Sequence, residues 1–349
     1  MPTFGTAQLK LLEKLTNVIA VSGDEGEVRK IVLEEIKSYA DDVRVDAMGN
    51  VLATRLGRGA KRTRVLVDAH MDEVGFMIVA DDSDGLYRFE IIGGIDERYL
   101  VGRQVFVGKE RTSGVIGGKP IHLMDHDEYN RKVPLESLRI DLGPAGKAKM
   151  GDRAGFATQF RRVGPSIMAK SIDDRIGIAT LIELVKHAPA NIDLCAAFTV
   201  QEEIGLRGAK VAAQYFKPDM AIAVDSTPAN DLPAYNGSEN MNYNTKLGLG
   251  PAIYTADGST LHDPRLVRFL QEVAEAESIP CQLRQPGGGG TNSGAIQKAL
   301  AGIPTVSVSV PHRYTHSPVS ISRVDDWKHT INLLHAALKK ITPSLLAIR

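Results

Sequence analysis

The 349-residue sequence predicts an α/β fold with a mixed central sheet flanked by helices and with an inserted β-rich domain. Four short apolar runs each lead into polar side chains that can bind a metal. Continuous runs of this length suit strands that are buried on both faces, as in a parallel or mixed sheet covered by helices. Stretches with helical periodicity separate the runs, and one glycine-punctuated segment with little helical period interrupts them.

The N-terminal region predicts two helices followed by two strands. One face of the first helix carries Leu9, Leu12, Leu15, Thr16 and Ile19. The second helix is expected to begin with Ser22 and Glu25, which have the spacing of a capping box. Gly49-Asn50 then separates strand-like segments at residues 43–45 and 51–55.

Apolar runs and helical stretches alternate along the rest of the chain. The runs predict strands at residues 64–69, 193–200, 220–224 and 305–310. The periodic stretches predict helices at residues 175–186, 264–277, 294–300 and 326–340. Short β-like pieces fill residues 74–164, which we interpret as a β-rich domain inserted into an α/β domain made of residues 1–73 and 165–349.

Composition argues against several classes of partner. Lys+Arg and Asp+Glu both number 42, so the formal net charge is zero, and the sequence has no dense basic run. Because nucleic acids and membrane surfaces attract a local excess of positive charge, neither is an expected partner. No apolar run approaches the ~20 residues of a membrane helix, and the N-terminus lacks the pattern of a signal peptide. Two lone cysteines, Cys195 and Cys281, favour a reducing compartment. We therefore expect a cytoplasmic protein.

Metal-capable side chains follow the predicted strands, and ligands bind outside the carboxyl ends of strands in open α/β sheets. His70 follows the first run, and Asp72 two positions later could orient it as a metal ligand. The alternative is a surface His-x-Asp pair. Asp225 follows the third run, where the alternative is an Asx-type turn before Pro228.

Paired carboxylates mark two further turns. Asp173 and Asp174 open a helix, where they either cap it or place Asp173 as a carboxylate that bridges two cations. Glu202 and Glu203 follow the second strand. Crowded carboxylates repel unless a positive charge offsets them, so one could bind metal while the other takes a proton from water. The alternative is an ordinary acidic turn.

A dinuclear metal centre would explain why these side chains share one sheet edge, with one carboxylate bridging the cations. His312 and His316 lie in a proline-flanked turn after the fourth run, and one of them is expected to be a ligand. Mixed imidazole and carboxylate ligation favours zinc, with cobalt or manganese as alternatives. The remaining histidines, including His122, have no ligand context. The glycine-rich loop at residues 287–290 lacks the phosphate-loop pattern and suits close approach of a peptide backbone.

An ordered set of motifs extends along nearly the whole chain. They are AHMDEVGFMI (69–78), GGKPIHL (117–123), SIDDRIG (171–177), VQEEIGLRGA (200–209), AVDSTPAND (223–231), GGGTNSGAI (288–296) and RYTHSP (313–318). In these motifs the sequence resembles the M42 family of metallo-aminopeptidases, which includes TET aminopeptidases, glutamyl aminopeptidases and members described as endoglucanases.

The resemblance implies two divalent ions and assigns their ligands by position. Asp173 is implied to be the bridge, with His70 and Asp225 on one ion and with Glu203 and His316 on the other. The resemblance thus assigns the ligand role to His316 and not to His312.

The same resemblance implies that Glu202 is the general acid and base and that Asp72 orients His70. A cis peptide is implied between Asp173 and Asp174. The insertion is implied to be PDZ-like and to form dimers that assemble into a hollow dodecamer.

One position departs from the family pattern. Many relatives read Gly-Thr-Asp-Ala where this chain reads Gly-Thr-Asn-Ser at residues 290–293. Asn292 would remove a negative charge expected near the substrate's amine, which leaves the preferred N-terminal residue open.

Together these features predict an aminopeptidase that removes the first residue of a peptide, with Glu202 moving a proton from water to the leaving amine. One alternative is a metal-dependent amidohydrolase or deacylase acting on small N-acyl compounds. A glycoside hydrolase would need two metal-free carboxylates, whereas nearly all the acidic candidates are assigned to metal. The complete ligand set argues against a non-catalytic shell protein.

Overall fold

The computed structural model describes residues 2–59, 61–285 and 287–347. The helices are α1 (Thr6–Thr16), α2 (Gly26–Ile36), α3 (His126–Tyr129), α4 (Ile172–Lys186), α5 (Arg207–Phe216), α6 (Pro264–Ala276), α7 (Ser293–Ile296) and α8 (Val324–Lys340). The strands are β1 (Asp42–Val45), β2 (Val51–Arg55), β3 (Thr63–His70), β4 (Gly75–Asp81), β5 (Leu86–Ile92), β6 (Gln104–Val107), β7 (Thr112–Gly117), β8 (Arg139–Asp141), β9 (Arg153–Phe156), β10 (Arg161–Val163), β11 (Ser166–Ala169), β12 (Ile192–Thr199), β13 (Met220–Pro228), β14 (Ala252–Ile253), β15 (Gln282–Leu283), β16 (Thr305–Arg313) and β17 (Ser320–Arg323).

One large sheet runs through the α/β part of the chain. Its main path follows the order β1-β2-β12-β3-β13-β16-β17-β11-β10, and β14 and β15 extend it beside β16. The central neighbours β12, β3, β13 and β16 are parallel, whereas the outer pairs of this path are antiparallel. The predicted mixed central sheet is therefore confirmed.

The central strands are buried between helices, as their continuous apolar runs predict. In β3 only Arg64 is exposed, and α4 is buried along nearly its whole length. Trp327 of α8 is fully buried, and its indole N–H donates a 2.9 Å hydrogen bond to Thr180 of α4. A buried indole needs such a partner. The packing holds the carboxyl ends of the parallel strands in a fixed register.

Six strands close into a separate barrel in the order β4-β5-β8-β7-β6-β9. In its core the Phe76 ring makes edge-to-face contacts with Phe89 and Phe156, with ring centroids 5.2 and 5.3 Å apart. This barrel confirms the β-rich part of the predicted fold class. The domain boundaries at residues 74 and 164, and a role of this part in dimerisation, stay predictions.

Three local predictions are wrong. Ile19 was expected on a face of the first helix but lies beyond its end, because α1 stops at Thr16. Ser22 and Glu25 form no capping box, because Ser22 Oγ donates to Asp72 and Glu25 accepts from the backbone N–H of Gly23. The helix expected at residues 294–300 ends with α7, and Leu300 has a left-handed φ of 55° that a helix cannot accommodate.

Some elements were not predicted. Helix α5 has only a weak apolar period in the sequence, because its buried face consists largely of alanine. Among the described residues, no helix combines the length and apolar character required to cross a membrane.

Candidate metal centre

The predicted ligands meet at the carboxyl-terminal edge of the large sheet. His70 is the last residue of β3, Asp225 lies in β13, and His316 comes three residues after the end of β16. Glu203 is in the turn after β12, and Asp173 is at the beginning of α4. Because neighbouring parallel strands end at the same edge of a sheet, five residues that are distant in sequence come together there.

Two groups of side chains share Asp173. In the first group His70 Nε2 lies 3.2 Å from Asp173 Oδ1 and 3.8 Å from Asp225 Oδ1. In the second group His316 Nε2 lies 3.5 Å from Asp173 Oδ2 and 3.2 Å from Glu203 Oε2. The potential ligand atoms of each group all lie within 4.8 Å of one another. Asp173 thus has the arrangement of a carboxylate that can bridge two cations.

The backbone around Asp173 is fixed from both sides. Ser171 has a left-handed φ of 45°, and the Asp173–Asp174 peptide is cis, as the family resemblance implies. Asp174 accepts hydrogen bonds from the backbone N–H groups of His70, at 3.2 Å, and of Gly177, at 3.0 Å. Asp174 therefore ties the beginning of α4 to the end of β3.

Asp72 is fully buried and organises the turn after β12. Its carboxylate accepts hydrogen bonds from the backbone N–H groups of Glu202, at 3.0 Å, and Glu203, at 3.1 Å, and from Ser22 Oγ, at 2.6 Å. His70 Nδ1 lies 3.4 Å from Asp72 Oδ1. Burial alone would raise the pKa of Asp72, but the His70 ring and these hydrogen bonds lower it below its ordinary value. The contacts suit a negatively charged Asp72.

The carboxylates of Asp225, Glu203 and Glu202 are crowded together in a partly to fully buried environment. Burial raises the pKa of Asp225 to about 6 and that of Glu203 to about 8, and neighbouring carboxylates add to both shifts. Burial also raises the pKa of Glu202 well above its ordinary value. Glu203 Oε1 is buried without a hydrogen-bond partner. Divalent cations would offset this repulsion and coordinate the free oxygen, and the mixed nitrogen and oxygen donor set suits zinc.

An ion-pair cluster beneath the site holds the segment after β3. The buried Arg175 donates to the backbone carbonyls of Met71 and Asp72 and lies 3.1 Å from Glu73 Oε1. Lys170 Nζ lies 2.7 Å from Glu73 Oε2. Glu73 thus pairs with both Lys170 and Arg175, and these contacts hold the segment that carries Asp72 in place.

His312 belongs to neither group of ligands. It is fully buried on β16, with Nε2 at 2.7 Å from Thr315 Oγ1 and 3.3 Å from Ser226 Oγ. Burial lowers the pKa of His312 to about 4. The structure therefore brings His316, and not His312, to the candidate centre. His122 is exposed in a short 3₁₀ turn and also lies outside both groups.

Asn292 has a different environment from the one expected. Its amide donates hydrogen bonds to Asp68 Oδ1, at 2.5 Å, and to Thr199 Oγ1, at 2.9 Å, and the side chain is buried. Among the described residues of its loop, Gly288–Gly290 line the neighbouring cavity but Asn292 does not. The expectation that this residue sets the charge near the substrate's amine is therefore not supported.

A cavity of about 730 Å³ opens onto the candidate centre, a volume suited to a small ligand. All five candidate ligands and Glu202 line it, together with Gly94 of the β-rich insertion. Tyr254 and Arg284 also line it, and sequence reasoning missed both. The available signal was the position of Arg284 in the sequence, three residues before the glycine-rich loop begins at Gly287.

Comparison with known proteins gives consistent matches along the chain. The family described as M42 glutamyl aminopeptidase matches residues 49–333. The lysyl aminopeptidase of Pyrococcus furiosus is 34% identical, over 96% of this chain and 97% of its own length. Aminopeptidase APDkam598 from Desulfurococcus kamchatkensis has a TM-score of 0.92 at 34% identity, with 98% of each chain covered. The TET1 peptidase of Pyrococcus horikoshii, described as able to assemble into a tetrahedron or a large octahedral shell, has a TM-score of 0.83 at 34% identity, with 96% of this chain and 100% of that chain covered.

Proposed function

The chain belongs to the M42 glutamyl aminopeptidase family, and from this relationship we propose that it is a dinuclear aminopeptidase that removes the N-terminal residue of peptides. The family makes the chain a metal-dependent hydrolase of peptide bonds. The observation that carries the dinuclear part is the position of Asp173, whose two carboxylate oxygens face different groups of potential ligands.

Five residues would hold the two cations. His70 and Asp225 would bind one ion, Glu203 and His316 would bind the other, and Asp173 would contact both. When bound, such a pair supplies Lewis-acid chemistry, which lowers the pKa of water from about 15.7 towards ~7 and stabilises negative charge on a carbonyl oxygen. We propose zinc as the native metal, with cobalt and manganese as alternatives, because the donors are imidazole and carboxylate groups.

Glu202 is the residue to which we assign proton transfer. It lines the cavity next to Glu203 but belongs to neither group of ligands, so its carboxylate is free for chemistry. Glu202 would accept a proton from the attacking water and then deliver it to the nitrogen of the leaving peptide as the carbon–nitrogen bond breaks. One carboxylate thus serves as base and then as acid, and it ends the cycle in its starting form.

Asp72 has a positioning role in this proposal. Its two oxygens hold the backbone of Glu202 and Glu203, and it lies beside the Nδ1 atom of His70. A carboxylate in this position fixes the orientation of a ligand ring and raises its basicity. Asp72 would therefore align the base with respect to ligands of both ions.

We also propose that residues 74–164 form a dimerisation domain and that dimers assemble into a dodecamer in the cytoplasm. Ile121, Leu123 and Met150 in this part expose 62, 62 and 79% of their surface, which favours a further interface. The P. horikoshii relative is described as able to assemble into a tetrahedron or a large octahedral shell. Both cysteines are free thiols, which suits a reducing compartment. Sedimentation analysis tests the assembly, and a monomer at all concentrations would contradict it.

The proposed reaction is tested with a panel of aminoacyl-p-nitroanilides, alongside N-acyl amino acids and carboxymethylcellulose. The protein should be assayed as purified, after chelation, and after zinc, cobalt or manganese is restored. We expect chelation to abolish cleavage of the free-amine substrates and metal to restore it. Cleavage confined to N-acyl amino acids would favour a deacylase. Cellulose hydrolysis that survives chelation would favour a glycoside hydrolase.

A further inference from the structure

Arg284 places a buried positive charge in the wall of the active-site cavity. It directly follows β15, exposes only 4% of its surface and lines the cavity together with the candidate ligands. Within the described part of the chain, no carboxylate forms an ion pair with its guanidinium group. The Nη1 atom is buried and has no hydrogen-bond partner there.

Neutral groups hold this guanidinium in place. Nε donates to Thr227 Oγ1 at 3.3 Å, and Nη2 donates to the carbonyl oxygen of Gly288 at 2.9 Å. The Cζ atom lies 4.5 Å from the centroid of the Tyr254 ring, at a distance that allows a cation–π interaction. These contacts fix the orientation of the side chain but do not neutralise its charge.

A buried guanidinium without a carboxylate partner is unusual. Arginine stays protonated in proteins, and buried charges are normally paired because an isolated charge loses its hydration. A guanidinium fork matches a carboxylate in shape and charge, and two parallel hydrogen bonds can form between them. The unused donor of Arg284 therefore suits a carboxylate that arrives with a ligand.

The position of Arg284 indicates which part of a substrate would supply that carboxylate. Its partner Thr227 lies two residues after Asp225 on the same strand, so the two side chains are on one face and about 7 Å apart. Its other partner, Gly288, belongs to the glycine loop of the cavity wall. The guanidinium is thus about one amino-acid side chain away from the candidate metal centre.

We propose that Arg284 forms the base of the subsite for the side chain of the substrate's N-terminal residue and selects acidic residues there. The assignment rests on the proposed aminopeptidase function. Family membership does not determine the preferred N-terminal residue, because the family description names a glutamyl enzyme whereas the relative from P. furiosus is a lysyl enzyme. A lysyl side chain would meet the like charge of Arg284, which disfavours it.

The direct test compares glutamyl-, glutaminyl-, leucyl- and lysyl-p-nitroanilide with the metal-loaded wild-type protein. Glutamate and glutamine have nearly the same shape and differ in charge, and these substrates lack a peptide carboxylate, so the comparison reports on the side chain alone. We expect kcat/KM for the glutamyl substrate to exceed that for the glutaminyl substrate by about 10- to 100-fold, with lysyl the poorest substrate. Equal or faster cleavage of the neutral or lysyl substrates would overturn the acidic subsite and leave the aminopeptidase function intact. Failure to cleave any substrate would overturn both.

Variants at position 284 test the residue itself. Arg284→Gln should bring the glutamyl/glutaminyl ratio close to one, and Arg284→Lys should keep part of the preference because the charge remains. The matched control is Arg44→Gln, since Arg44 also stacks on a tyrosine ring, 4.7 Å from the Tyr215 centroid, but is exposed and does not line the cavity. An unchanged ratio in a folded Arg284→Gln variant would overturn the assignment. If that variant does not fold, the comparison of substrates with the wild-type protein is the deciding test.

Discussion

The backbone N–H of Glu202 donates a 3.0 Å hydrogen bond to the buried carboxylate of Asp72. Asp72 follows β3 and Glu202 follows β12, and these two strands are parallel neighbours in register up to His70 and Thr199. The bond therefore joins the carboxyl ends of two core strands. The position of the proposed base is set by the sheet and not by a free loop.

Replacing Glu202 by glutamine should remove the base and keep the metal centre. The amide cannot accept a proton, so we expect kcat to fall by about 10²- to 10⁴-fold while metal content stays at the wild-type level. Steady-state kinetics and elemental analysis of the same preparation check both parts. Glu203→Gln is the neighbouring control, because it should lower metal content as well as activity. Full activity in Glu202→Gln would refute the assignment.

Asp72→Asn should weaken both the metal site and the alignment of the base. An amide cannot offer two acceptor oxygens to the backbone N–H groups of Glu202 and Glu203. We expect metal affinity or kcat to fall by about 10- to 100-fold, with little change in the circular dichroism spectrum. Ser22→Ala removes the 2.6 Å hydrogen bond from the other side of Asp72 and should have a smaller effect of the same kind. Wild-type metal affinity and kcat in Asp72→Asn would contradict the positioning role.

Asn292→Asp should destabilise the metal-free protein, because it brings a second carboxylate against Asp68. Burial raises the pKa of Asp68 to about 7, so two charges would face each other above that pH. We expect a loss of about 3 kcal/mol in the free energy of unfolding at pH 8. The loss should shrink as the pH falls through 7, where the folded protein can take up a proton.

Urea denaturation at several pH values measures this effect. The matched control is the exchange variant Asp68→Asn with Asn292→Asp, which restores one amide facing one carboxylate and should recover much of the lost stability. If Asn292→Asp and the wild type had the same unfolding free energy at pH 8, the 2.5 Å contact between Asn292 and Asp68 would not contribute to stability.

Protonation of His312 should contribute to acid unfolding. Burial lowers the pKa of His312 from 6.5 to about 4 in the folded chain. Between these values the unfolded chain binds a proton that the folded chain excludes, so stability falls as the pH decreases from 6.5 to 4, by about 3 kcal/mol. Above pH 6.5 this contribution vanishes, because His312 is neutral in both states.

The measurement is the unfolding free energy of metal-free protein across this pH range. His312→Gln should show a shallower decrease than the wild type, whatever its absolute stability. His122→Gln, at an exposed histidine, should follow the wild-type curve. Identical slopes for His312→Gln and the wild type would rule out this account.

Much of the fold was predictable because the central strands are buried on both faces. β3 and β12 appear in the sequence as unbroken apolar runs and end next to their functional residues. The turn that holds Glu202 was predictable only as an acidic turn, since the contact with Asp72 depends on the pairing of two distant strands. The hydrogen bond from Ser22 to Asp72, which replaces the expected helix cap, likewise joins residues that are 50 positions apart in the sequence.

Other features depend on three-dimensional packing that the sequence does not reveal. The choice of His316 over His312 came from family resemblance, because spacing alone treats both histidines alike. The environment of Asn292 could not be predicted, since its partner Asp68 lies 224 residues away. Arg284 belongs to no recognisable sequence motif. Its contacts with Thr227 and Tyr254, and the absence of a carboxylate partner among the described residues, depend on the folded structure.

Zinc stoichiometry tests the dinuclear centre most directly. Metal-free protein should be titrated with zinc, and bound metal should be measured by elemental analysis after removal of the excess. We expect two ions per chain in the wild type, about one in Asp225→Ala, and fewer than one in Asp173→Ala, because Asp173 faces both ligand groups. A single ion in the wild type, or two ions retained by Asp173→Ala, would contradict the bridged two-metal site.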